Sequence, residues 1–116
     1  MKKLLKYQVL LLLFVGNLCF SRTNQDSLMQ IWNSESANDT VRLLALEKCV
    51  NSLIYSLPDS AFKLGKLQLE KAKQINHYRF EISALGNMGI TRAITQNHDE
   101  ALNLFYKQLS LAEINN

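Results

Sequence analysis

Apolar positions along the chain fall into five blocks separated by short polar stretches. Within the blocks they recur every three or four residues, which places them on one side of an α-helix. Runs alternating with period two, as a half-buried strand needs, are absent. The first block, residues 25–34, carries Leu28, Ile31 and Trp32. The polar stretch from Ser34 to Asp39 reads as a linker, with Asp39 or Thr40 placed to cap the next helix. The second block, 40–56, has Val41, Leu44, Ala45, Cys49 and Leu53 on one broad face. Leu57-Pro58-Asp59 ends it, because proline disfavours helix at the preceding residue and suits the first turn of the next one. The third block, 59–74, carries Ala61, Leu64, Gly65, Leu69 and Ala72, and Asn76-His77-Tyr78 is the following turn. The fourth, 80–95, presents Ile82, Leu85, Met88 and Gly89 together. After a break at Gln96 to Asp99, with Asn97 as a cap, the last block, 99–114, carries Ala101, Leu102, Phe105, Leu109 and Ala112. The pattern predicts an all-α fold: a short leading helix, then four helices in consecutive antiparallel hairpins.

The two hairpins overlay at a shift of 40 residues. Asp99-Glu100-Ala101-Leu102 falls on Asp59-Ser60-Ala61-Phe62, and Leu104, Gln108, Leu109 and Ala112 fall on Leu64, Gln68, Leu69 and Ala72. In the leading helices Gly89, Ile90 and Ile94 fall on Cys49, Val50 and Ile54. A repeated helix pair is the signature of an α-solenoid. Here the chain resembles the tetratricopeptide repeat family, whose pattern sets a large residue before a Leu-Gly pair, then a small residue and an aromatic four positions on. Leu85, Met88-Gly89, Ala101 and Phe105 stand in those places. The aromatic expected after the glycine is Arg92, and the closing proline is missing. The first hairpin matches more weakly, through Ala45, Lys48, Cys49 and Gly65, and the spacing exceeds the family's usual period of roughly 34. The resemblance implies two helix-turn-helix repeats over 40–76 and 77–116, forming a short α-solenoid behind residues 22–39. It also implies close helix contact at Cys49, Ala61, Gly89 and Ala101, with Phe105 filling the gap beside the last pair.

The start of the chain changes how charge is read. Lys2, Lys3 and Lys6 precede an apolar run from Val9 to Val15, and Cys19 and Ser21 follow. That order is a secretory signal over residues 1–21, cleaved near Ser21, and its apolar part falls short of the roughly 20 residues a membrane span needs. The expected location is periplasmic or secreted. Of 13 basic and 10 acidic residues, those three lysines leave with the signal, so the mature chain carries ten of each. The basic pI therefore belongs to targeting, and a nucleic-acid function is excluded. Cys49 alone remains, so no disulfide within one chain is available, and a lone cysteine inside an apolar helix reads as a small core residue.

No metal-ligand spacing, phosphate loop or nucleophile motif occurs, and the expectation is a protein without catalysis, cofactor or metal. His77 and His98 fall at turns, and Glu47, Glu70 and Glu81 alternate with lysines on what reads as a solvated face. By resemblance, the first helix of each repeat lines a groove: Arg42, Leu46, Val50 and Leu53 from one, Ser83, Gly86, Ile90 and Ala93 from the other. Most are apolar and would suit an amphipathic helix as partner, although Leu28, Ile31 and Trp32 of the leading helix are placed to cover part of it. The Lys/Asn pattern with which some members clamp a terminal carboxylate is missing. The arrangement is similar to the exported sensor regions of bacterial signalling receptors, where repeats precede a membrane helix and an output module. A remnant of such a receptor, and a small secreted protein with an unrecognised site, are the rival readings. The last helix carries Leu102, Leu104, Phe105, Leu109, Leu111 and Ile114, more than one face can hide. With about three repeats needed for a stable array, its open side is expected to make the mature chain self-associate or need a partner that supplies the missing helix, and charged replacements at Leu104 and Leu111 test which side is exposed.

Overall fold

The computed structural model describes residues 24–116, which form five helices and no strand. These are α1 (24–33), α2 (Asp39–Leu53), α3 (Pro58–Gln74), α4 (Tyr78–Ile94) and α5 (His98–Ile114). The expected signal segment, residues 1–21, lies outside the described residues. No helix among the described residues is long and apolar enough to cross a membrane.

The last three helices are 17 residues each and begin 20 residues apart. The chemistry of their ends fixes that interval. Pro58 opens α3 at the position where a missing N–H costs no hydrogen bond. At the end of α3 the backbone enters the left-handed region at Asn76 (φ 56°), where His77 N donates to Ala72 O at 2.8 Å and Asn76 N to Lys73 O at 3.2 Å. The same motif closes α4: Gln96 has φ 63°, Asn97 N donates to Arg92 O at 2.8 Å, and Gln96 N to Ala93 O at 3.2 Å. This paired closure satisfies carbonyls that the last helical turn would otherwise leave open.

Several boundaries differ from the sequence reading, and α4 begins at Tyr78, which the sequence pattern assigns to the turn, and not at Phe80. Helix α2 ends at Leu53 and not Ser56, with Ile54 as its last helical-type residue and a turn up to the residue before Pro58. Its cap is Asn38, whose Oδ1 accepts from Thr40 N at 2.8 Å. Asp39 instead pairs with Arg42 at 3.4 Å and with Lys71 of α3 at 3.2 Å, tying the start of one helix to the end of the next.

Packing is by nearest neighbours in the chain, with one addition: α4 touches α2 as well as α3 and α5. Leu43 and Val50 of α2 lie in two separate clusters, the first with Ala72 and Phe80, the second with Ile54 and Ala61. A third cluster joins Leu85 and Met88 of α4 to Leu104 of α5, flanked by Phe62, Leu69 and Leu111. The broad α2 face drawn from the sequence is buried at Ala45 and Cys49 but not at Val41 and Leu44. Val41 and Leu44 are 50% and 40% exposed, whereas Leu43, Leu46 and Val50 have no accessible surface.

Small residues let the helices close. A Cβ on Gly89 would come within 2.6 Å of the Phe105 ring, so the ring covers Gly89 directly, and Ala101 is buried one turn earlier on α5. Gly86 faces the Gln108 amide, and Gly65 admits Met88 of α4. Cys49 and Ala61 are buried, and burial pushes the Cys49 thiol pKa up. Arg92, standing where an aromatic was expected, lays its guanidinium 3.5 Å from the centre of the Phe62 ring and reaches Glu100 at 3.2 Å. A charged side chain so placed bridges α3 and α5 while covering an aromatic surface.

Candidate functional site

Helices α2 and α4 run parallel, with contacts 36 residues apart: Asn87 Nδ2 donates to Asn51 Oδ1 at 2.9 Å, and Ser83 Oγ donates to Glu47 Oε1 at 2.5 Å. Arg79 reaches the other oxygen of Glu47 at 3.5 Å. Glu47 is 92% removed from solvent, and these two partners supply the charge-assisted bonds that a buried carboxylate requires. The seam between the two helices is therefore polar along its outer edge.

The eight residues assigned to an apolar groove divide among different places. Leu46 and Val50 are core residues, and no ligand reaches them. Arg42 turns toward α1, where its Nε donates to Trp32 O at 2.8 Å and its guanidinium lies 5.1 Å from the Trp32 ring centre. Gly86 faces α5. Leu53 and Ile90 are half-buried against the Val50 cluster, Ala93 is half-buried, and Ser83 joins the polar seam. The assigned stripe is thus shared among neighbours: α2 turns it into the core and toward α1, and α4 turns it largely toward α2.

What this face offers to solvent is a different pair of stripes. Val41, Leu44, Lys48, Asn51 and Tyr55 are exposed along α2, and Arg79 and Ile94 are exposed at the two ends of the α4 stripe through Asn87. The spacing 41, 44, 48, 51, 55 is a helical stripe, although the sequence pattern assigns Val41 and Leu44 to the core. The face mixes apolar anchors (Leu44, Tyr55, Ile94) with two carboxamides that retain donor and acceptor capacity.

Helix α1 does not lie on this face. Gln25 Nε2 donates to Ser52 Oγ at 3.4 Å while Trp32 sits by Arg42, so α1 runs antiparallel to α2. Trp32 packs against the Leu43, Ala72 and Phe80 cluster together with Ile75, on the α3 side. Two open furrows follow on that side. One, about 380 Å³, is lined by Trp32 and Arg42 with Leu67, Glu70, Lys71 and Gln74 of α3. The other, about 370 Å³, is lined by Lys73, Glu81 and Leu85 with Lys107, Ser110, Leu111 and Ile114 of α5 among its walls. The four α3 residues of the first furrow recur 40 residues on in the α5 wall of the second, which adds Tyr106.

Other assignments also shift. Glu47 and Glu81 are buried and not part of a solvated face, while Glu70 is exposed. His77 is half-buried with its ring centre 4.6 Å from that of Phe80, whereas His98 is exposed. On α5, Leu104 is 8% exposed and Leu111 is half-buried against the Leu85 cluster, so the open side is formed elsewhere, by Leu102, Tyr106, Leu109 and Ile114. Leu104 and Leu111 point back toward α4, which the 40-residue overlay on Leu64 and Lys71 did not reveal. Among the described residues no group of three His, Cys, Asp or Glu is placed to hold a metal ion. No family model matches the chain, and no curated protein or solved structure matches it.

Proposed function

We propose that the chain is an exported, non-catalytic helical-repeat module of tetratricopeptide type that binds a protein partner along the α2–α4 face. The observation that carries this reading is the recurrence of one structural unit. Supporting it are the three helices that begin 20 residues apart, the α2–α4 seam, and furrow-lining positions of α3 that recur 40 residues on in α5. Such stacking presents equivalent helices side by side on one face, a surface suited to an elongated partner. The residues there fit a peptide or amphipathic helix: Leu44, Tyr55 and Ile94 for its apolar side, Asn51 and Asn87 for its polar groups.

The test is a photo-reactive amino acid placed at Tyr55 or Asn87 in cells that make the protein, with Lys66 on α3 as the comparison position. Tyr55 and Asn87 are expected to cross-link to one and the same polypeptide, and Lys66 to none. Cross-links of equal yield from all three positions, or none from Tyr55 and Asn87, contradict the proposal.

A further inference from the structure

We propose that the furrow between α3 and α5 binds a small zwitterion, an α-amino acid with an apolar side chain. The inference goes beyond the α2–α4 reading, concerns a different surface and does not rest on it. Two residues of α4 form the floor of the furrow, Leu85 and Glu81, which are 5% and 9% exposed, and Leu111 of α5 lies beside them. Lys73 of α3 and Lys107 of α5, both exposed, reach it from its two walls, and Tyr106 completes the α5 side.

Glu81 is the group that asks for a ligand. A carboxylate removed from water needs a cation or hydrogen-bond donors to offset its lost hydration. Glu47, buried to a similar degree, has both, in Arg79 and Ser83. The Glu81 side chain has neither an ion pair nor a hydrogen bond among the described residues. Lys73 and Lys107 likewise pair with no carboxylate among them. The furrow therefore presents an open anion at its floor and two open cations at its walls, around the apolar surface of Leu85 and Leu111. The furrow between α1 and α3 lacks this combination. There Arg42 and Lys71 already share the Asp39 carboxylate, at 3.4 and 3.2 Å, and the residue 40 positions before Glu81 is Val41. That furrow is open although α4 and α5 follow it in the chain, so an opening at this place comes from how the helices stack.

The ligand follows from the lining. Its ammonium group meets Glu81, its acid group meets Lys73 and Lys107, and its apolar side chain covers Leu85 and Leu111. A free amino acid carries all three features, and the volume of about 370 Å³ lies in the range of small-ligand sites.

The probes are L-leucine, isoamylamine, which lacks the carboxylate of leucine, and isocaproate, which lacks its ammonium group. Titrated into the isotope-labelled full chain and followed by NMR, leucine is expected to shift the amides of residues 81–85 and 106–111 saturably. It should bind at least about tenfold more tightly than either analogue. Glu81→Gln is expected to weaken leucine and isoamylamine at least about tenfold and to leave isocaproate unchanged. Lys107→Ala is expected to weaken leucine and isocaproate severalfold and to leave isoamylamine unchanged, while Lys48→Ala, on the α2–α4 face, changes none of the three. Circular dichroism melting establishes that each variant is folded, and the exposed Lys107 keeps the test decisive if Glu81→Gln does not fold. Shifts that do not saturate by about 10 mM, equal affinity for the three probes, or leucine binding indifferent to the substitutions in folded protein overturn the inference.

Discussion

Two left-handed residues do the same work with different side chains. Asn tolerates positive φ because its short amide bonds locally, while Gln lacks that compensation and pays the steric cost of a Cβ at Gln96. Gln96→Gly is expected to stabilise the fold by about 0.5–1 kcal/mol, and Asn76→Gly by less. Thermal melts of the two variants check the order. Equal or inverted gains would mean that the closures at α3 and α4 are not equivalent. At Gly89 the sign reverses, because the Phe105 ring already occupies the space a Cβ needs. Gly89→Ala is expected to cost about 1–3 kcal/mol through overpacking. Lys107→Ala, on the exposed side of α5, should stay within about 0.5 kcal/mol. Urea titration of both variants reads the difference.

Helix α2 shows where periodicity runs out. Its sequence has Leu43, Leu44, Ala45 and Leu46 in succession, so apolar residues point in every direction and several faces fit equally well. The structure selects Leu43, Leu46 and Val50, because α2 has neighbours on two sides, α3 and α4, and both are contacted by that arc. Leu46→Ala is therefore expected to cost about 2–5 kcal/mol, and Leu44→Ala less than about 1 kcal/mol. A larger loss at Leu44 in denaturant unfolding would restore the face drawn from the sequence. Helices α3 and α5 were legible to within a residue, since Pro58, Asn76 and Asn97 punctuate them and their apolar stripes are narrower. The candidate face was less so. Glu47 and Ser83 look like solvated residues in isolation, and only the parallel approach of α2 and α4 at an offset of 36 makes them partners. A shift of 40 finds equivalent residues; contact between equivalent helices is displaced from it by one turn, which no overlay displays.

At the scale of the molecule, export and the nearest-neighbour packing of the helices are the two claims to check. The proposed signal predicts a secreted product whose N-terminus, read by mass spectrometry, lies at or within a few residues of Arg22; a chain beginning at Met1 and extracted only with membranes would contradict it. The proposed binding face needs a stack in which each helix is held by its neighbours. Helix α4 touches α2, α3 and α5, whereas α5 touches α4 alone among α2 to α5. Local opening follows such coverage, because exchange of a backbone amide requires its surroundings to come apart. Native-state hydrogen exchange of the free chain is the most direct measurement. Amides across the middle of α4, residues 84–91, should exchange slowest of all, and those of 102–109 in α5 at least about tenfold faster. Uniform protection of α4 and α5 in the free chain would contradict the account.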